Sequence, residues 1–232
     1  MSKTASYNAL VEERKYCSRC AGVVNPAKHK DGILDSHEVG PWSLWQGNLD
    51  ARVLLVGQDW GDTRYFERHH GRERIGNHTN ELLVRLFAAV GIAIAPPSAS
   101  DNGGGPLFFT NAVLCLKEGG LQAPVRREWF ANCGANFLRP TIEIVRPAVV
   151  ISLGEKAFRA ICKAFGLRTQ PFRAAVEAPN GLALTPESHY FPMYHPSRRI
   201  LNTHRPLERQ FEDWSRVRPL LTRESRTTSA CS

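Results

Sequence analysis

The sequence predicts an α/β fold built on a four-stranded, mainly parallel sheet, and two observations carry that prediction. Short apolar runs, Val53-Leu-Leu-Val56 and Ala148-Val-Val-Ile-Ser-Leu153, each end in a glycine, Gly57 or Gly154. Runs of that length with no polar alternation read as strands buried on both faces. Between the runs lie stretches with apolar residues at helical spacing, and strand–helix alternation of this kind builds a parallel sheet through helical crossovers.

Taken in order, residues 5–15 form a short amphipathic helix (Ala5, Leu10 and Val11 among charges) that leads to Tyr16-Cys17-Ser-Arg-Cys20. Residues 21–50 lack period and read as an irregular connection pinned by Trp42 and Trp45. The first strand spans 52–57. Residues 63–78 are polar and basic, with Tyr65 and Phe66 embedded. In the next segment Leu82, Leu83, Leu86, Phe87 and Val90 share one helical face, and Gly91 is a natural C-terminal stop. The Gly103-Gly-Gly105 run marks a flexible loop. A second strand is expected over 107–114, a helix broken near Pro140 over 124–145, a third strand over 148–153 and a helix over 154–165. A fourth strand, 190–194, runs into His195-Pro-Ser197, and a last helix covers 203–217, with Pro206 in its first turn. Residues 1–224 form one domain, and 225–232 form a polar tail expected to be disordered.

With 232 residues, 42% hydrophobic and 22% charged, the chain has the composition of one sizeable soluble domain. Thirty Lys+Arg against 22 Asp+Glu give a formal charge of +8, which suits a polyanionic partner such as nucleic acid. No apolar run reaches membrane-spanning length, and the N-terminus lacks the apolar core of a secretory signal. The expectation is a cytoplasmic protein with no membrane partner, whose six cysteines are reduced or metal-bound.

Ligands of open α/β sheets sit beyond the carboxyl ends of the strands. Three such ends carry polar groups with hydrogen-bonding reach: Gln58 and Asp59, Asn111, and His195 with Ser197. Cys17 and Cys20 form a Cys-x2-Cys pair, and Cys115 and Cys133 follow with 17 residues between them. Four thiolates suit either a zinc ion or an iron–sulfur cluster, while Cys115 and Cys133 also fit a core as small hydrophobes. Cys162 falls on an apolar helix and reads as core.

Together these residues resemble the uracil-DNA glycosylase superfamily, over most of the chain from Cys17 to about Trp214. Gly57-Gln-Asp59 is similar to the start of the family-1 motif Gly-Gln-Asp-Pro-Tyr, with Trp60-Gly61 in place of Pro-Tyr. His195-Pro-Ser197 matches the second signature. Phe109-Thr-Asn111-Ala-Val-Leu-Cys115 resembles the Thr-Asn-Val-Val-Lys-Cys segment of the iron–sulfur branch, families 4 and 5. Cys17, Cys20, Cys115 and Cys133 fall in the order of that branch's cluster ligands.

The resemblance implies a three-layer α/β/α sandwich around the four-stranded sheet, a 4Fe-4S cluster on the four cysteines, and a monomer. It also implies hydrolysis of the N-glycosidic bond of uracil in DNA, leaving an abasic site and free uracil. Asp59 would stabilise the sugar cation and orient or deprotonate water. His195 would donate to uracil O2, and Asn111 would read O4 and N3–H. Gln58 would supply backbone contacts at the pocket floor, with Ser197 beside His195. Phe66, rather than Tyr65, is expected to stack on the base. Arg198 and Arg199 would grip phosphates, although relatives carry an apolar wedge after His-Pro-Ser. The alternative is a catalytically degenerate DNA-binding module on the same scaffold.

Overall fold

The computed structural model describes residues 1–40, 45–96 and 106–222. Helix α1 (Lys3–Tyr16) starts at Ser2, whose hydroxyl accepts from the Ala5 amide at 3.2 Å. Then come β1 (Val23–Val24), a 3-10 segment at Pro26–Gly32, β2 (Val53–Gly57), α2 (Thr63–Arg68) and α3 (His78–Ala89). Strands β3 (Leu107–Asn111) and β4 (Leu116–Lys117) precede α4 (Arg127–Cys133), a π turn at Gly134–Leu138 and α5 (Arg139–Val145). The remainder is β5 (Val149–Leu153), α6 (Glu155–Phe165), α7 (Phe172–Glu177), β6 (Leu182–Ala183) and β7 (His189–Met193). Helices α8 (Arg198–Thr203), α9 (Leu207–Ser215) and α10 (Arg218–Thr222) complete it.

The main sheet has five strands in the order β3-β2-β5-β7-β6, where four were expected. The four long-read strands are parallel, and the fifth, β6, adds two residues antiparallel to β7. Two residues carry no readable period, so this edge was invisible in the sequence. Every side chain of β2 and β5 is buried, with helices on both sides. Leu54, Val56, Phe108 and Val150 face the layer of α1, α5 and α6. Val53, Leu55, Val149 and Ile151 face that of α3, α9 and α10. This is the three-layer sandwich.

Two helical expectations are corrected by proline. The helix expected over 203–217 is α9, which starts only at Leu207 with Pro206 as its N-cap residue and ends at Ser215. Thr203 ends α8, because Pro206 disfavours a helical Arg205 and cannot donate. Around Pro140 the helix does not break. It loosens into the π turn instead, where the Arg139 amide donates to Gly134 O five residues back.

The irregular 21–50 stretch contains β1, which pairs antiparallel with β4 and forms a second, two-stranded sheet (Val23 with Lys117, Val24 with Leu116). Trp45 is buried and donates through Nε1 to Ala95 O at 2.8 Å, as a pinning residue should. Trp42, the triple-glycine loop and the 225–232 tail lie outside the described residues. Among the described residues no helix is long and apolar enough to cross a membrane.

Candidate active site and cysteine centre

Parallel pairing puts the carboxyl ends of β3, β2, β5 and β7 on one edge. Gly57 pairs with Asn111 across β2 and β3, and Leu153 pairs with Met193 across β5 and β7. Gln58 and Asp59 leave the first pair of strands, Gly154 and His195 the second. The chain turns sharply at Gly154, which has φ +85° and donates to Met193 O at 2.7 Å. His195 Cβ then lies 3.7 Å from where a Cβ on Gly154 would stand.

Asn111 is buried, and its amide lies over Gly57 so closely that a methyl there would collide with Oδ1. Among the described residues the Asn111 side chain has no hydrogen-bond partner, so its donor and acceptor are free for a ligand. Past Asn111 the pairing continues, Ala112 N to Gly57 O (2.9 Å) and Val113 N to Gln58 O (3.0 Å), which fixes the Gln58 backbone.

Asp59 is held from three directions. Its Oδ1 accepts from the Gly61 amide at 2.8 Å and faces Lys117 Nζ at 3.3 Å, while Oδ2 accepts from Gln58 Nε2. Asp62 is committed elsewhere: it is buried and caps α2, accepting from the Tyr65 amide at 2.7 Å. Burial holds the His195 imidazole below the ordinary histidine range, and the Asp59 carboxylate pulls it the other way. The net effect leaves a neutral ring at neutral pH, within the field of Asp59.

Phe66 departs from the expected stacking role. It has no exposed surface, because it packs with Trp60 and Leu116 and meets the His29 ring edge-on at 6.2 Å. The aromatic beside the site is Phe109. It is partly exposed, two residues before Asn111 and so on the same strand face, and its ring meets Trp45 and Trp60 edge-on at 6.0 and 5.4 Å. Lys117 was also missed. A strand period of two, counted back from Asn111, would have singled out Phe109; no local signal marks Lys117. Ser197, partly buried, is the N-cap residue of α8, and Arg198 and Arg199 stand exposed at its start.

Cys17, Cys20, Cys115 and Cys133 line one cavity of about 140 Å³, together with Arg14, Arg19 and Lys28. Asn25 ties the first pair's approach by donating to Arg14 O, Lys15 O and Cys17 O at 2.8, 3.2 and 3.0 Å. Arg14 is buried against Asp35 at 2.7 Å. Burial pushes the Cys133 thiol up to about 12, and burial followed by the other three cysteines raises that of Cys115. Among the described residues no three His, Cys, Asp or Glu side chains are grouped closely enough to hold a single metal ion. Cys162 is buried in the core, as expected.

Comparison with known proteins agrees with this architecture. The chain is 28% identical over 208 residues to a type-5 uracil-DNA glycosylase of Pyrobaculum aerophilum, covering 86% of each protein. It is 27% identical over 180 residues to a type-4 uracil-DNA glycosylase of Thermotoga maritima, covering 77% of this chain and 82% of the relative. Residues 44–217, which hold Asp59, Asn111 and His195, match the family described as the uracil DNA glycosylase superfamily. The chain belongs to the uracil DNA glycosylase superfamily.

Proposed function

We propose that this protein is a uracil-DNA glycosylase that hydrolyses the bond between uracil N1 and the deoxyribose C1′, leaving an abasic site in DNA. The observation that supports the reading is a carboxylate, an amide and a neutral imidazole at the carboxyl ends of three strands along one edge of the sheet, with His195 in the field of Asp59.

A base inside a duplex is out of reach, so the nucleotide must be turned out at a cost of a few kcal/mol. The exposed Arg198 and Arg199 offset part of that by binding phosphates. The extruded uracil meets Asn111, whose amide donates to O4 and accepts from N3–H. Cytosine presents the reverse pattern and would leave these buried groups unpaired. The half-exposed Phe109 ring offers the stacking surface that Phe66 does not.

As the bond breaks, negative charge grows on the base and positive charge on the sugar. A neutral His195 donates to O2, and a donor of this kind is worth about 3 kcal/mol, roughly 10²-fold in rate. The Asp59 carboxylate stabilises the sugar cation and orients the incoming water. Gln58 holds Asp59 through its side chain and closes the pocket floor through its backbone. Ser197 fixes the start of α8 next to His195.

Cys17, Cys20, Cys115 and Cys133 line one cavity rimmed by cationic side chains, a four-thiol donor set that suits a 4Fe-4S cluster, with a zinc ion as the alternative. When bound, the cluster ties the 17–20 segment to Cys115 and Cys133, and no step of the hydrolysis passes through it.

The test is release of free uracil from uracil-containing oligonucleotides, scored as abasic sites. Wild type is expected to release it, with losses of at least 10²-fold in Asp59→Ala and His195→Ala. Wild-type rates in both variants would remove the mechanism. Salt-dependent DNA binding with no base release would favour the degenerate binding module.

A further inference from the structure

Lys117 is a buried cation that the glycosylase motifs leave unexplained. Its side chain is 7% exposed and that of Asp59 9%, with Nζ 3.3 Å from Asp59 Oδ1. The lysine is placed by its own backbone as well: its amide donates to Gly61 O at 3.2 Å, and β4 pairs it with Val23. An ammonium so far from water persists only beside a compensating charge, and Asp59 supplies it.

A carboxylate offers about four lone-pair directions. The Gly61 amide takes one on Oδ1 and Gln58 takes one on Oδ2, and Lys117 adds its charge beside Oδ1 at 3.3 Å. One direction on Oδ2 stays open, on the side away from the Lys117 ammonium. From this we infer that Lys117 is the positioning residue of the active carboxylate. It orients Asp59 from the Oδ1 side and leaves a direction on Oδ2 open for water or the sugar. The inference rests on the glycosylase reading above and adds to it the group that sets the carboxylate's aim. A lysine serving only to fill the turn would leave the chemistry of Asp59 untouched.

A double-mutant cycle separates the two roles. Uracil release is measured for the wild type, Lys117→Met, Lys117→Arg, Asp59→Asn and the Asp59→Asn/Lys117→Met double variant, with melting curves for all five. Lys117→Met is expected to lower kcat about 10²-fold, the loss typical of a misplaced catalytic group, with KM within about threefold of wild type. Lys117→Arg should recover at least about tenfold of that loss, because it restores the charge without the exact geometry. In the Asp59→Asn background the methionine should change kcat by less than about threefold.

Equal losses of kcat in both backgrounds, or no recovery by arginine, would overturn the assignment. The melting curves judge the pair without activity: Lys117→Met should lower the melting temperature beside Asp59 and much less beside asparagine. Absence of uracil release from wild type would defeat the proposed function by itself. Additive melting shifts would then defeat the pairing independently.

Discussion

Gly57→Ala isolates the contact on which base reading depends. The φ of Gly57 lies outside the left-handed region, so alanine meets no conformational bar there. The obstacle is Asn111 Oδ1, which stands where the new methyl would go; the next neighbours are Asn111 Cγ at 3.3 Å and the Phe109 ring at 3.4 Å. Strand β2 is buried throughout and paired in register with β3, so the backbone has little room to yield. Overpacking of this type costs about 1–3 kcal/mol. The cheaper response is for Asn111 to rotate away, which gives up two hydrogen bonds to uracil at about 0.5–1.5 kcal/mol each. Uracil release should therefore fall about 5- to 150-fold, while the melting curve stays cooperative. Asn111→Ala should lose activity to a similar extent with little change in stability, since among the described residues the amide it removes has no partner. In the double variant the stability cost of Gly57→Ala should shrink to less than about 1 kcal/mol, because the colliding atom is gone. Single-turnover kinetics and chemical denaturation on the four proteins measure both quantities. A Gly57→Ala protein with wild-type kcat/KM, or a double variant as unstable as Gly57→Ala alone, would refute the placement of Asn111 over Gly57.

Three further outcomes are expected. Removing both arginines, Arg198→Ala with Arg199→Ala, should lower the slope of log affinity against log salt by about 2 and leave release from saturating DNA nearly unchanged. Protein purified without oxygen should be brown, with about four irons per chain, and Cys115→Ser should lose both colour and iron; elemental analysis that finds zinc instead would overturn the cluster. Burial pushes the Glu73 carboxyl up to about 7, with Asn77 Nδ2 donating to it at 3.4 Å. The fold thus favours the protonated acid, and this contribution is present below the unfolded value of 4.5 and lost as pH rises through about 7. Glu73→Gln should flatten that dependence and stabilise the protein at pH 8 by no more than about 3 kcal/mol, read from denaturant melts across pH.

Much of this could be read from the chain because the central strands are buried on both faces. Runs such as Val53–Val56 and Val149–Leu153 admit few other readings, and parallel pairing then forces their polar ends together. What escaped had either too few residues or too distant a cause. Strands β1, β4 and β6 are two residues each, below any period. Phe66 stands in the sequence as a candidate stacking aromatic, but α2 turns it inward onto Trp60 and Leu116. Phe109 was passed over as an ordinary strand residue, since its exposure depends on where β3 ends against Gly57. Lys117 is set by a tertiary pairing with Val23, nearly a hundred residues away, which no local pattern encodes.

The small β1–β4 ribbon carries a mechanical consequence. Cys20 sits three residues before one of its strands, and Cys115 immediately precedes the other. Because the pair is antiparallel, Cys20 approaches the end where Val23 meets Lys117 and Cys115 the opposite end, so iron held at those sulfurs would bracket the ribbon that carries the ammonium facing Asp59. Stripping the metal should accordingly slacken the turn that holds Asp59 well before the central sheet melts.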